Sequence, residues 1–125
     1  MRLGRSFIAV AILALAALAG TGLHAQSDMP DCGDPPGNEP AIPDGGKAAR
    51  DTMLNAVRAV KQYSEAVDAW LACKDQRALT VFQWMNEAQR QRWEEDLAAI
   101  HDRRVEVQRQ MNEQIRIFNQ RTGSS

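Results

Sequence analysis

Residues 53–71 read MLNAVRAVKQYSEAVDAWL, and this stretch decides the fold because its apolar side chains return every three or four residues. That spacing places them on one side of a helix, as a seam that packs along a second helix. Tyr63 and Trp70 widen the seam on one flank. The seam positions are Met53, Val57, Val60, Ser64, Val67 and Leu71.

The segment before this helix has a very different composition. Residues 28–46 contain all five prolines of the chain. Proline lacks the amide hydrogen that a helix needs and fixes φ near the polyproline II value. We therefore predict an extended proline-rich arm over residues 26–47. A helical hairpin follows over residues 48–121, where neither proline nor glycine occurs.

Two helices make up the predicted hairpin. We place the first over residues 48–75, a break near residues 74–77, and the second over residues 80–120. Thr80 and Gln83 form a predicted capping box at the start of the second helix. A short link between two long helices predicts an antiparallel arrangement, so the expected fold class is all-α.

The second predicted helix is about twelve residues longer than the first, so its C-terminal part has no obvious partner. Ile115, Ile117 and Phe118 in this part leave three possibilities: packing against the arm, pairing with a second copy, or an exposed patch. Arg104 and Gln114 interrupt the predicted buried face of this helix. That face comprises Met85, Trp93, Leu97, Ile100, Val107, Met111, Ile115 and Phe118.

The first 25 residues have the three parts of a secretory signal peptide. Arg2 and Arg5 precede an apolar run over residues 7–19, and small residues then lead to Ala25. The run is shorter than the roughly 20 residues that cross a bilayer. We therefore predict cleavage near Ala25, no membrane span in the mature chain, and a periplasmic or secreted location.

Cys32 and Cys73 are the only cysteines, and both follow the predicted leader. In a small exported protein such a pair favours a structural disulfide bond over redox or metal chemistry. A helix from residue 48 to 73 is about 38 Å long, and an extended arm reaches about 45 Å. The bridged arm is therefore expected to run back along the first helix, turn at residues 44–46 and cover part of the seam with Ile42.

Net charge argues against a nucleic-acid partner. Without Arg2 and Arg5, the mature chain has 13 basic and 16 acidic residues, a net charge of −3. Binding to phosphate backbones needs a surplus of cations on one face. Here opposite charges stand four residues apart, as in Lys61 and Glu65, which is typical of solvated helix surfaces. We expect an unknown protein partner or self-association instead.

The reactive side chains do not form a pattern that predicts catalysis. Ser64 lies on the apolar seam, while His101, the only histidine of the mature chain, lies on the other helix beside Asp102. Neither has the orienting carboxylate and oxyanion site that a nucleophile requires. Two thiols and one distant imidazole lack zinc spacing, and the acidic residues 94–96 diverge around their helix. We predict no enzyme activity, no cofactor and no metal.

The three tryptophans lie near the closed end of the predicted hairpin. Trp70 on the first helix is within reach of either Trp84 or Trp93 on the second. Buried aromatic packing accounts for such a contact more simply than a ligand platform does. We therefore expect aromatic packing at this end of the hairpin.

Several elements of residues 30–75 occur together in a known group of proteins. They are a cysteine in a proline-rich arm, a turn, a methionine and an aromatic residue on one helix, and a second cysteine. In this chain they are Cys32, Ile42-Pro43-Asp44-Gly45, Met53, Tyr63 and Leu71-Ala72-Cys73. The chain thereby resembles small exported bacterial proteins of unknown function. The resemblance implies a helical hairpin with a bridged arm and brings no activity.

A second resemblance concerns residues 79–83. Leu79-Thr80-Val81-Phe82-Gln83 is similar to the Leu-Thr-x-x-Gln motif of the Spy-type periplasmic chaperones, and the motif occurs once. This likeness implies a holdase that binds unfolded clients. The residues themselves favour a non-enzymatic, envelope-associated interaction or structural protein, and the holdase is the alternative.

Overall fold

A computed structural model of the protein describes residues 31–123. The predicted signal peptide and the first residues of the predicted arm lie outside the described residues. Helix α1 spans Arg50–Val81, a 3₁₀ turn spans Phe82–Trp84, and helix α2 spans Glu87–Thr122. Residues 31–123 contain helices and no strand, and α1 packs against α2 as a hairpin. The predicted all-α fold class is confirmed.

Helix α1 continues to Val81, so the predicted end at residue 75 and the predicted break at residues 74–77 are wrong. Lysine, aspartate, glutamine and arginine are all tolerated inside helices, and four polar residues in a row remove no backbone hydrogen bond. Helices α1 and α2 have 32 and 36 residues. The expected large excess in length of the second helix is therefore wrong as well.

The capping box lies at Asn86 and Gln89 instead of Thr80 and Gln83. The Asn86 side chain accepts a hydrogen bond from the Gln89 amide at 2.9 Å, and the Gln89 side chain accepts one from the Asn86 amide at 2.9 Å. Gln83 instead donates to the Thr80 carbonyl at 3.0 Å. Asparagine is a stronger N-cap than threonine, which places the start of α2 at Glu87.

The core lies along the seam between the helices. Val67 is fully buried, and both Met53 and Val60 are nearly so, in agreement with the predicted spacing. Val57 differs from the prediction, since 39% of it is exposed. The buried cluster comprises Met53, Ala56, Val60, Tyr63, Val67, Val107 and Met111, and Ile42, Ala48, Leu71, Ile100, Ile115 and Phe118 pack against it.

The arm lies along one side of the seam, which we call the covered face. The Trp70 indole nitrogen donates to the Gly33 carbonyl at 3.1 Å, and the Gly45 amide donates to the Gln114 side chain at 2.9 Å. Ile42 packs against the core cluster. The approach at Gly45 is so close that a Cβ there would lie 2.1 Å from the Gln114 carbonyl oxygen.

The C-terminal part of α2 contacts the arm, which is the first of the three possibilities that the sequence leaves open, and its Ile115, Ile117 and Phe118 are half-buried. Arg121 donates to the carbonyls of Gly45 at 3.1 Å and Ala48 at 2.6 Å. Ile115 and Phe118 pack against the core cluster. Both the arm and α1 supply these contacts, because α1 begins beside the end of α2.

We call the opposite side of the seam the open face. Here Gln108 of α2 donates to the Ser64 hydroxyl of α1 at 3.0 Å, and Arg104 pairs with Asp68. The two residues that interrupt the apolar face of α2 are thus polar links to other parts of the fold. Gln114 binds the arm on the covered face, and Arg104 binds α1.

Candidate functional site

The structure brings the two cysteines together near the closed end of the hairpin. The sulfur atoms of Cys32 and Cys73 are 2.05 Å apart, which is the length of a disulfide bond, and their Cα atoms are 5.7 Å apart. Trp70 lies about one turn before Cys73 on α1. The beginning of the described arm therefore lies beside an aromatic side chain.

Lys74 lies between indole rings from the two helices. Its Nζ atom is 4.1 Å from the centroid of the Trp93 ring and 5.4 Å from that of Trp70. Both distances are within the range of cation–π attraction. Of the two partners expected for Trp70, the structure selects Trp93, and the lysine mediates the contact.

Trp93 is also held by the turn between the helices. The Phe82 ring meets it edge-on, with centroids 5.9 Å apart and an interplanar angle of 83°. The Trp93 indole nitrogen is buried and has no hydrogen-bond partner in the part of the chain that the structure describes. Leaving a buried donor unpaired costs about 1–3 kcal/mol, so this nitrogen is an unusual feature of the hairpin end.

These side chains line a cavity of about 340 Å³, which we call the aromatic cleft. Its volume lies in the range of natural ligand pockets. Lys74 and Asp96 supply a cation and a carboxylate to a wall that is otherwise apolar. The lining residues are Pro35, Trp70, Lys74, Trp93, Asp96, Leu97, Ala99 and Ile100.

Two large apolar side chains near the turn are exposed, and we call them the hairpin tip. Leu79 is 85% exposed and Trp84 is 81% exposed. Trp84 therefore takes no part in the aromatic packing expected at this end. Leu79 is the first residue of the stretch that resembles the chaperone motif.

Ser64 and His101 have ordinary structural partners. The Ser64 hydroxyl is buried, donates to the Val60 carbonyl at 2.8 Å and accepts from Gln108 at 3.0 Å. His101 is exposed, and its Nδ1 atom lies 2.8 Å from a guanidinium nitrogen of Arg104. The Ser64 hydroxyl hydrogen is thus donated to a backbone carbonyl, and the His101 imidazole has a cationic neighbour.

Residues 31–123 contain neither a cluster of metal ligands nor a membrane span. That part of the chain contains no group of three or more histidine, cysteine, aspartate or glutamate residues arranged to hold a metal ion. No helix within it is long and apolar enough to cross a membrane. Residues 94–96, the acidic run, are exposed on α2.

The shifted pKa values lie outside the aromatic cleft. Hydrogen bonds from Arg109 and then Gln110 lower the pKa of Glu106 to about 2 on the outer surface of α2. Burial, followed by the charge of Glu39, raises the pKa of Tyr63 in the core. These shifts arise from a surface ion pair and a buried phenol, and neither group lines the cleft.

Comparison with known proteins returns no relative, since no family model, no curated protein and no solved structure matches the chain. Both resemblances therefore remain predictions. The function has to be argued from the hairpin end itself.

Lys74 and Pro35 were not predicted as site residues from the sequence, and Leu79 entered only as the first residue of the chaperone-like motif. A signal for Lys74 was present, because it follows Trp70 by four residues and thus lies on the same side of α1. Pro35 had no comparable signal, since its position depends on where the arm meets α1. Leu79 was assigned to the link between helices, and the extension of α1 makes it an exposed helical residue.

Proposed function

We propose that the protein is an exported, non-enzymatic binding protein that contacts a protein partner with the closed end of its hairpin. The observation that carries this proposal is the exposure of Leu79 and Trp84 near the turn of the hairpin, whose two helices also form the aromatic cleft. Exposed apolar patches favour protein recognition, and tryptophan is among the residues that contribute most to interfaces.

The chemistry of the cleft favours one kind of partner segment. The cleft has room for an apolar side chain of the partner against Trp70, Trp93 and Leu97. The Lys74 ammonium favours a hydrogen-bond acceptor next to that side chain, such as a carboxylate or a backbone carbonyl. The hairpin tip then extends the apolar contact beyond the cleft. The partner is therefore expected to insert an apolar residue flanked by acceptor groups.

The extended arm and its bridge to α1 belong to the same proposal. A bond between Cys32 and Cys73 fastens the arm where Pro35 forms part of the cleft wall. Closing a loop of this length stabilises the fold by about 4 kcal/mol in the chain-entropy model. Such a bond persists in an oxidising compartment, which agrees with a leader over residues 1–25 and a periplasmic or secreted location.

A capture experiment tests the proposed surface. The oxidised mature chain, residues 26–125, is immobilised and exposed to an envelope extract, in parallel with the double variant Leu79→Ser, Trp84→Ser. We expect the parent to enrich a protein that the double variant loses by at least about tenfold, because the few residues that dominate an interface each contribute about 1 kcal/mol or more. Direct binding of the purified partner to the parent and to the double variant, measured by calorimetry, completes the test.

Val105→Ser is the matched control, because Val105 is also exposed, at 46%, but lies away from the hairpin end. This variant should retain the captured protein. If the double variant captures and binds the same protein as well as the parent does, the hairpin tip is not the binding surface and the proposal is wrong.

A holdase is the second candidate, because the stretch that resembles the Spy-type motif begins at the exposed Leu79. A holdase binds many unfolded chains through apolar surface, whereas a specific binding protein selects one partner. Light scattering of an aggregating, unrelated client separates the two. An absence of suppression at stoichiometric ratios would exclude the holdase and leave the specific partner.

A further inference from the structure

The open face carries a groove that runs along both helices, and it consists of two adjoining cavities. One has a volume of about 240 Å³ and the other about 410 Å³. Val57 and Ile115 line both cavities, which makes the groove continuous. On the covered face the arm packs against the helices and leaves a cavity of about 440 Å³ beside Ile42 and Gln114, while the opposite face of the same two helices carries this open-face groove without an arm over it.

The centre of the groove is apolar. Val57 is 39% exposed and Leu54 is 44% exposed, and both face Ile115 of α2 across the groove. Met111 and Phe118 form deeper parts of the wall. Valine and leucine on the side of a packed seam, with an isoleucine opposite, are typical of a helical interface that continues to another helix.

The two ends of the groove carry opposite charges. Arg50 lines the end near the start of α1. Lys61, Glu65 and Asp68 line the other end, where one positive and two negative charges give a net charge of −1, and Glu65 lies 3.8 Å from Lys61 of its own helix. Arg50 precedes Val57 by seven residues and Glu65 follows it by eight, so the charges lie almost symmetrically about the apolar centre. Residues seven apart on a helix lie on the same side of it.

We propose that a second copy of this chain occupies the open-face groove, with α1 of one copy antiparallel to α1 of the other and a two-fold axis near Val57. In a two-fold contact, residue i of one copy meets residue j of the other, and j meets i. This arrangement pairs Arg50 with Glu65 twice and brings the apolar centres together. The result is a four-helix arrangement with both arms on the outside.

Analytical ultracentrifugation of the oxidised mature chain tests the pairing. We expect a monomer–dimer equilibrium between about 1 µM and 1 mM, the range of moderate affinities. Val57→Asp should weaken the dimer by at least about 100-fold, because it buries an unpaired carboxylate at the axis. Val105→Asp, a surface control outside the groove, should change the dissociation constant by less than about threefold.

A charge exchange tests the orientation. Arg50→Glu and Glu65→Arg should each weaken the dimer by about tenfold, because each places like charges together at both ends. The double variant restores opposite charges and should return to within about threefold of the parent. Circular dichroism and the melting temperature of each variant establish that the monomer is folded.

Three outcomes overturn the proposal. The first is a folded parent that remains monomeric up to 1 mM, and the second is a dimer that Val57→Asp leaves intact. The third is a double variant that is weaker than both single variants, since this excludes the antiparallel pairing. If the parent is monomeric and Val57→Asp instead abolishes binding of a purified foreign protein, the groove belongs to that protein.

Discussion

The covered face and the open face are two sides of one seam, and they differ in what fills them. On the covered face, an irregular arm supplies Ile42 to the core and a backbone amide to Gln114. On the open face, the same helices leave Leu54 and Val57 partly exposed. A proline-rich segment therefore takes the place of a third helix on one side only. The other side is left available for a contact between molecules.

Removing the covalent attachment of the arm should destabilise the protein most. Cys73→Ser should lower the free energy of unfolding by about 4 kcal/mol, which corresponds to about 15–30 °C in melting temperature for a domain of this size. Calorimetry of the oxidised proteins measures the difference. Cys32→Ser should produce the same loss, and the double variant should add nothing further.

An unchanged melting temperature in Cys73→Ser would contradict the covalent attachment. It would also remove the main reason for treating the arm as a permanent part of the covered face. The parent protein measured with a dithiol reductant provides a control with an unaltered sequence.

The next effect concerns the closest approach on the covered face. Gly45→Ala places a Cβ 2.1 Å from the Gln114 carbonyl oxygen and 3.0 Å from the Phe118 amide nitrogen, so the backbone has to move. We expect a loss of about 3 kcal/mol, the upper part of the range for overpacking. Urea denaturation at a single temperature is sufficient to measure it.

Gly37→Ala is the matched control on the same arm, because the nearest atom to its Cβ, the Pro35 carbonyl oxygen, is 4.0 Å away. This substitution should be neutral or slightly stabilising. Equal losses at Gly37 and Gly45 would show that the arm does not approach α2 as described.

Substituting two glutamines of α2, one on each face, compares the stability that the two faces contribute. Gln114→Ala leaves the buried Gly45 amide on the covered face without an acceptor and should cost about 2 kcal/mol. Gln108→Ala, on the open face, should cost only about 0.5 kcal/mol, because the Ser64 hydroxyl keeps its bond to the Val60 carbonyl. Chemical denaturation of both variants measures the difference, and the reverse order would contradict the assignment of the faces.

The smallest effect is expected on the outer surface of α2, which belongs to neither face. The Glu106 pKa is lowered from 4.5 to about 2, so its contribution to stability is fully present above about pH 4.5 and is lost as the pH falls towards 2. Glu106→Gln should therefore have a lower free energy of unfolding than the parent once the pH has risen through this interval. The difference should be small, because the ion pair is exposed. Carboxyl NMR titration locates the transition; an ordinary pKa would refute it.

Much of the fold could be predicted from the sequence, because it depends on local composition and periodicity. The spacing of Met53, Val60 and Val67 correctly predicts a buried seam. The proline-rich composition before residue 47 excludes a helix there, and residues 31–44 have neither helix nor strand. Both properties are local, so one sequence is enough to detect them.

The helix boundary was predicted wrongly where two neighbouring sequence signals compete for the end of α1. Residues 74–77 look like a break because they are polar, yet a helix ends where a cap or a breaker ends it, and Asn86 supplies that cap downstream. The aromatic cleft depends on the approach of α2 and the arm to α1. Its composition therefore follows from tertiary contacts that a periodic pattern does not specify.

The sulfur link also determines how the molecule responds to mechanical load. With Cys32 bonded to Cys73, a pull on the N-terminus passes directly into the last turns of α1 and leaves through α2. The 41-residue loop between them bears no force and cannot lengthen. The pulled chain is therefore shorter by about 135 Å than it would be without the bond. If the molecule were pulled from both ends, the seam residues of α1 up to Val67 would lie outside the path of tension, which would run from Cys73 through the turn and along α2.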